Sequence, residues 1–224
     1  VAIGTRLQDF TTGSWTSFKA DAQFISINAA RFDATKHRAI SVVGDARESL
    51  REMDAALGDW SAPDTWMEKG RDEMAKWDSL IDELQKPSNA HIPSYAQVIK
   101  VVQDNAKTED LVITAAGGPP GEVNKCWRVK APNTVDTEFG FSCMGYEIPA
   151  GWGAAMADEN RTPIVIIGDG TYMMANSEMA TAAMNFFMNA PGGVGGQKSR
   201  RIVAVFAPAS FQAPGGRPAR HKST

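Results

Sequence analysis

A chain of 224 residues with a formal charge of −3 has the length of one large domain or two small ones, and its balance gives no reason to expect a nucleic-acid partner. An apolar fraction of 43% against 22% charged residues is that of a soluble globular protein, and no apolar run approaches the roughly 18 residues that would span a bilayer. Two cysteines, Cys126 and Cys143, are too few for a disulfide framework or a thiolate metal cluster, so the expectation is a cytoplasmic protein with reduced thiols and no secretory leader.

The first 57 residues alternate strand-like and helix-like signals. Val1–Thr5 opens inside an apolar run with no initiator Met, which reads as the interior of a strand and leads to the expectation that the chain is a piece of something longer. Phe24–Ala29 and Ala39–Asp45 are two more short β-branched runs. Asp45–Leu57 then places Leu50, Met53 and Leu57 at helical spacing. Short strands separated by crossover-length segments predict a parallel α/β sheet.

Residues 58–94 form a charged stretch punctuated by Trp60, Trp66 and Trp77 and closing on Pro, Ser, Asn and His. One or two amphipathic helices are expected here, with the tryptophans pinning a linker against a domain. From Tyr95 a second α/β unit begins: a helix from Tyr95, a buried strand in Asp110–Gly118, and a Gly-rich loop, "GGPPGE". Glu138–Ala157 is rich in small residues and predicts a closely packed helix. Pro163–Gly170, "PIVIIGDG", is another buried strand, and Asn176–Asn189 a helix with Met179, Ala183 and Phe186 or Phe187 inward.

Residues 191–224 contain six basic residues, six glycines and four prolines, and neither Asp nor Glu. No aromatic stacking pattern interleaves the bases. This stretch is read as an aberrant, frameshifted or disordered tail, with no ordered strand expected after Met188.

The chemistry centres on Gly168-Asp169-Gly170. Asp-Gly after a strand can make a hairpin turn. Here the following residues have helical rather than alternating character, with Asn176 or Ser177 able to cap and Glu178 in the first turn. Strand, loop and helix in that order bring loop amides and a carboxylate to the carboxyl edge of a parallel sheet, where open α/β sheets bind ligands. Glycines allow backbone to approach a diphosphate, and one carboxylate can supply an oxygen to Mg²⁺ held mainly by phosphate and water. The three histidines, His37, His91 and His221, form no constellation, and Cys143 reads as a small buried thiol.

"IIGDGTYMMANSE" resembles the first half of the signature of thiamine diphosphate enzymes. "FSCMGYEIPAGWGAAMA" resembles the segment that precedes it in the same domain, and "AIGTRLQDFTTGSW" with "FISINAARFDATKHRAISVVGDARESL" resemble the last strands of the central domain of the acetolactate synthase-like group. Within the superfamily, "QDFTTGSW", "AAGGPPGEVNKCWR" and "EFGFSCMGYEI" are most similar to the inositol-catabolism hydrolases that open the ring of trihydroxycyclohexane-1,2-dione to 5-deoxy-glucuronic acid.

The resemblance implies three-layer parallel-sheet domains: residues 1–57 as the end of a central domain, 58–94 as a linker, and 95–190 as the first part of the C-terminal cofactor (PP) domain. It implies thiamine diphosphate and Mg²⁺ as cofactors, with Asp169 as the metal ligand framed by Gly168 and Gly170. Thr171 would reach the diphosphate. Met144 would be the apolar wedge that bends the cofactor, with Ser142 offering backbone to the aminopyrimidine. Gly117, Gly118 and Gly121 would line the diphosphate end.

The resemblance also implies a small cyclic dione as substrate and a homodimer or homotetramer as the assembly. Two parts of the pattern fall elsewhere. The activating Glu of these enzymes belongs to an N-terminal domain, so no catalytic residue is assigned within the chain. The second metal-binding side chain would fall near residues 194–198, where the sequence reads "VGGQK". A carboligase of the acetolactate synthase kind, or a catalytically inactive fragment, are the alternatives.

Overall fold

A computed structural model describes residues 1–138, 140–188 and 203–207. The chain divides into two compact units, Val1–Gly70 and Arg71–Thr224.

In the first unit β1 (Ala2–Ile3), β2 (Ile25–Asn28) and β3 (Ile40–Val43) form a parallel sheet in the order β1-β2-β3. Short helical turns α1 (Asp9–Thr12) and α2 (Arg31–Ala34) fill the connections, and α3 (Ala46–Leu57) follows β3. Asp45 starts α3 by accepting hydrogen bonds from the backbone N–H groups of Arg47 and Glu48. The parallel arrangement matches the expectation. Every residue of β3 is exposed, and α3 buries none of its side chains. Leu50, Met53 and Leu57 instead line an open apolar groove with Arg47, Arg51 and Asp54.

The second unit is a four-stranded parallel sheet in the order β5-β4-β6-β7, from β4 (Leu111–Thr114), β5 (Val135–Thr137), β6 (Pro163–Gly168) and β7 (Val203–Ala207). Its helices are α5 (Tyr95–Asn105), α6 (Gly118–Cys126), α7 (Glu147–Ala157), α8 (Asp169–Met174) and α9 (Ser177–Met188). Side chains alternate across a strand, so β4 and β6 sort their residues to two cores. Val112, Ile164 and Ile166 pack with Ala96 and Ile99 of α5 and Val123 and Cys126 of α6. Ile113, Val165 and Ile167 pack on the opposite face with Ile148 of α7. This is the three-layer α/β/α domain the sequence predicts.

Three expectations are corrected, and one short strand is added. The stretch "GGPPGE" is not a loop: its prolines occupy the first turn, where their missing N–H groups cost nothing, and α6 starts at Gly118. Strand β5, with only three residues, is too short to register as an apolar run. Met179 and Ala183 of α9 are exposed, while the side chains of Phe186 and Phe187 lie outside the described residues. Finally, a strand does follow Met188. Val203–Ala207 pairs with β6 from Ile164↔Val203 to Gly168↔Ala207. The surrounding Gly-, Pro- and Arg-rich composition masks this stretch, but five apolar residues suffice for a strand beside a buried neighbour.

The 58–94 stretch yields one long helix, α4 (Asp64–Leu84). The tryptophans do not pin it: Trp60 and Trp66 are 66% and 68% exposed and Trp77 is 43% exposed. The anchoring residues are Ile81, which joins the core around α5, and Gln85, whose Nε2 donates to the Cys126 carbonyl. Ile81→Ala should therefore lower stability by about 2–4 kcal/mol, while Trp66→Ala should stay within about 0.5 kcal/mol, both read from denaturant unfolding. Equal losses in the two variants would refute this account of α4.

Candidate cofactor site

Strands β4 and β6 are adjacent and parallel, and their chains leave in different directions. After β4 the chain passes through α6 to β5 on one side, and after β6 it reaches β7 on the other. The carboxyl edge between them is thus a topological switch point, where the following loops part and leave a crevice.

Gly117 follows β4 with φ +91° and ψ −153°, a backbone conformation that L side chains rarely adopt. A methyl group placed on it would lie 3.7 Å from Pro119 Cδ and 4.0 Å from Thr171 Oγ1, so the turn after β4 sits against the start of the helix after β6. Thr171 is buried, and Asp169 is the exposed first residue of α8. One Asp169 carboxylate oxygen accepts the Gly170 N–H at 2.8 Å.

Met144 reaches the same place from the segment before α7. A methyl group on Gly170 would be 3.8 Å from Met144 Cε. The turn carrying Met144 is held by Glu138, whose two oxygens accept the N–H groups of Phe141 (2.9 Å) and Cys143 (2.7 Å). These hydrogen bonds, Cys143 first, hold the Glu138 carboxyl below its ordinary range. Ser142, in the same turn, takes φ +55°. Cys143 is exposed, against the expectation of a buried thiol. Cys126 is the buried one, its thiol pushed up to about 11 chiefly by desolvation.

The structure therefore gathers Gly117, Gly168, Asp169, Gly170, Thr171 and Met144 at one sheet edge, with Ser142 in the adjoining turn. Gly118 lies under Tyr95, whose hydroxyl oxygen is 3.2 Å from where a Gly118 Cβ would be. Gly121 is not part of this cluster: it sits within α6 with open space around its Cα.

Two residues that sequence reasoning passed over belong here. Tyr95 begins α5 behind a capping box made by Ser94 and Gln97. Its hydroxyl lies against Gly118, and burial, followed by the nearby charges of Asp169 and Glu122, pushes its phenol up. Glu147 is fully buried at the start of α7. Its Oε1 accepts the Ala116 N–H at 3.2 Å, and its Oε2 has no hydrogen-bond partner among the described residues. The sequence signal for Glu147 was available: it is a lone acid in "MGYEIPAGWGAAMA", otherwise built of small and apolar residues.

Among the described residues no three His, Cys, Asp or Glu side chains cluster as a metal site. Asp169 alone is a suitable donor for a cation held mostly by ligand phosphate and water, which is the usual way Mg²⁺ accompanies a diphosphate. A left-handed glycine turn, a helix starting beside it, a single carboxylate and an overhanging methionine fit a diphosphate-bearing cofactor with an apolar ring system. No helix among the described residues is long and apolar enough to cross a membrane.

Residues 115–187, from the end of β4 to α9, match the family described as "Thiamine pyrophosphate enzyme, C-terminal TPP binding domain". Over 81% of its length the chain is similar to curated proteins named 3D-(3,5/4)-trihydroxycyclohexane-1,2-dione hydrolase. These include one from Listeria monocytogenes serotype 4b (32% identical), one from Bacillus velezensis (31%) and one from Clostridium botulinum strain Alaska E43 (28%). The chain spans about a third of the length of these relatives, the matched part being 32% of each.

Burial pushes the Glu147 carboxyl up, against the opposing pull of the backbone N–H groups of Glu147, Ala116, Ala115 and Gly145. For an acid raised in the fold, the stabilising contribution is complete below the unfolded value of about 4.3 and is lost as pH rises through the folded value. Glu147→Gln cannot ionise. Its melting temperature should therefore gain on that of the unsubstituted protein as pH is raised from about 4 to about 8. A difference that stays constant across that range would show that Glu147 carries its charge in the fold.

Proposed function

We propose that the chain carries the diphosphate and Mg²⁺ half of the cofactor site of a thiamine diphosphate-dependent hydrolase acting on trihydroxycyclohexane-1,2-dione. The observation that carries this reading is the placement of Asp169 at the switch point of β4 and β6, beside the Gly117 turn and under Met144. The names of the similar proteins support the substrate class.

In this reading Asp169 holds Mg²⁺ against the diphosphate. The Gly117 turn and the Thr171 end of α8 receive phosphate oxygens, and Met144 supports the ring system from the side of α7. Thiamine diphosphate, when bound, supplies an electron sink for cleavage of the C–C bond next to a carbonyl. The residues of this chain bind and orient it. The activating carboxylate comes from another domain, which places the site at a boundary between domains or subunits and favours a homodimer or homotetramer working in the cytoplasm. The product would be 5-deoxy-glucuronic acid. Residues 190–224 contain no Asp, Asn or Glu, so the second side-chain ligand expected for the metal has no counterpart there.

Calorimetry on the full chain tests the site. Thiamine diphosphate with Mg²⁺ should bind more weakly than about 1 μM. Binding should require the metal and disappear in Asp169→Ala. Affinity indifferent to Mg²⁺ or to Asp169 would overturn the assignment, and sub-micromolar affinity would show that one side-chain ligand suffices. For the substrate, incubation with the trihydroxycyclohexane-dione and with pyruvate, each in the presence of a relative's complementary domains, separates ring opening from carboligation.

A further inference from the structure

We propose that Glu147 is a positioning residue that sets the gap between the Gly117 turn and the Met144–Gly145 segment by tying the end of β4 to the start of α7. Its use for a diphosphate cofactor rests on the function proposed above; the tie itself does not.

The two segments are separate in the chain, and each ends in a glycine whose positive φ an L side chain rarely adopts. Gly117 and Gly145 both have φ +91°. Between them stands one fully buried carboxyl group. It accepts the N–H of Ala116, the residue immediately before Gly117, and is anchored two residues after Gly145. The carboxyl thus spans from the start of α7 to the residue before the Gly117 turn.

Oε1 meets the buried Ala116 N–H, which a hydrophobic residue would leave orphaned, while Oε2 is buried without a partner at a cost of about 1–3 kcal/mol. The two edges the carboxyl joins are those that carry the candidate diphosphate turn and the candidate ring support. The start of α7 is also fixed from the other side. The Tyr146 hydroxyl donates to Asp136 at 2.6 Å, which pushes the phenol up to about 12, and a side chain on Gly145 would meet Met174 and Ala175 at 3.4 Å. With α7 held in this way, Glu147 transmits its position to the turn after β4.

The test is amide hydrogen exchange on the full chain, comparing Glu147→Gln, Glu147→Leu and Glu147→Ala with the unsubstituted protein. In the Leu and Ala variants the Ala116 and Gly145 amides should lose about tenfold or more protection beyond any change at Ile166 and Ile167. The Gln variant keeps an acceptor oxygen and should stay within about twofold at all four. A merely structural role would shift all four amides together, and that result overturns the proposal. So does selective loss in the Gln variant, or its failure to fold. Calorimetry with thiamine diphosphate and Mg²⁺ is run on the same samples. Selective loss of protection in a protein that never binds the cofactor would sink the functional reading and leave the tie standing. A parallel fall in affinity of about fivefold in the Leu variant would support both.

Discussion

The parallel pairing of β4 with β6 is the constraint on which the second unit depends. Val112, Ile113, Ile164, Val165, Ile166 and Ile167 are all buried, so this strand pair is covered on both faces. Parallel strands covered on both faces are open to solvent only at their ends. Of the two ends, the carboxyl edge is where the chain turns away in opposite directions, and it is there that the Gly117 turn lies against the start of α8, which Asp169 opens. Removing volume from this pair would disturb both cores and the site together, because one alternation of side chains serves all three.

The cluster at that edge is built from groups with divided duties. Backbone provides most of it: the Gly117 turn, the start of α8 and the turn held by Glu138. Side chains contribute one exposed carboxylate, one hydroxyl that is buried, and one flexible methionine. Such a division suits a ligand whose charge is met by amides and a metal while its ring meets an adaptable apolar surface.

Much of this was legible in the sequence because strong local signals agreed with one another. The run Pro163–Ile167 is too apolar to be an exposed strand, and Asp169 after it could be placed without any tertiary information. The errors have physical causes. Trp60, Trp66 and Trp77 looked like anchors because large aromatics usually pack, yet Ile81 does that work and the rings stay in water. Val135–Thr137 is a strand only because β4 offers it a ladder, which no window of three residues reveals. Val203–Ala207 was hidden by the composition around it and is a strand by virtue of β6. Glu147 stands out in the sequence as a lone acid among small and apolar residues, but its burial is a property of the assembled fold, set by β4 arriving opposite α7.

The two cysteines differ in a way that has a practical consequence. Cys126, at the end of α6, is sealed in the core shared with α5, while Cys143 lies in the open, adjacent to Met144. The protein thus comes with a single addressable thiol next to the crevice. A thiol-reactive fluorophore would attach at one position without any engineered substitution, and its emission would report directly on whatever settles between Gly117 and Asp169.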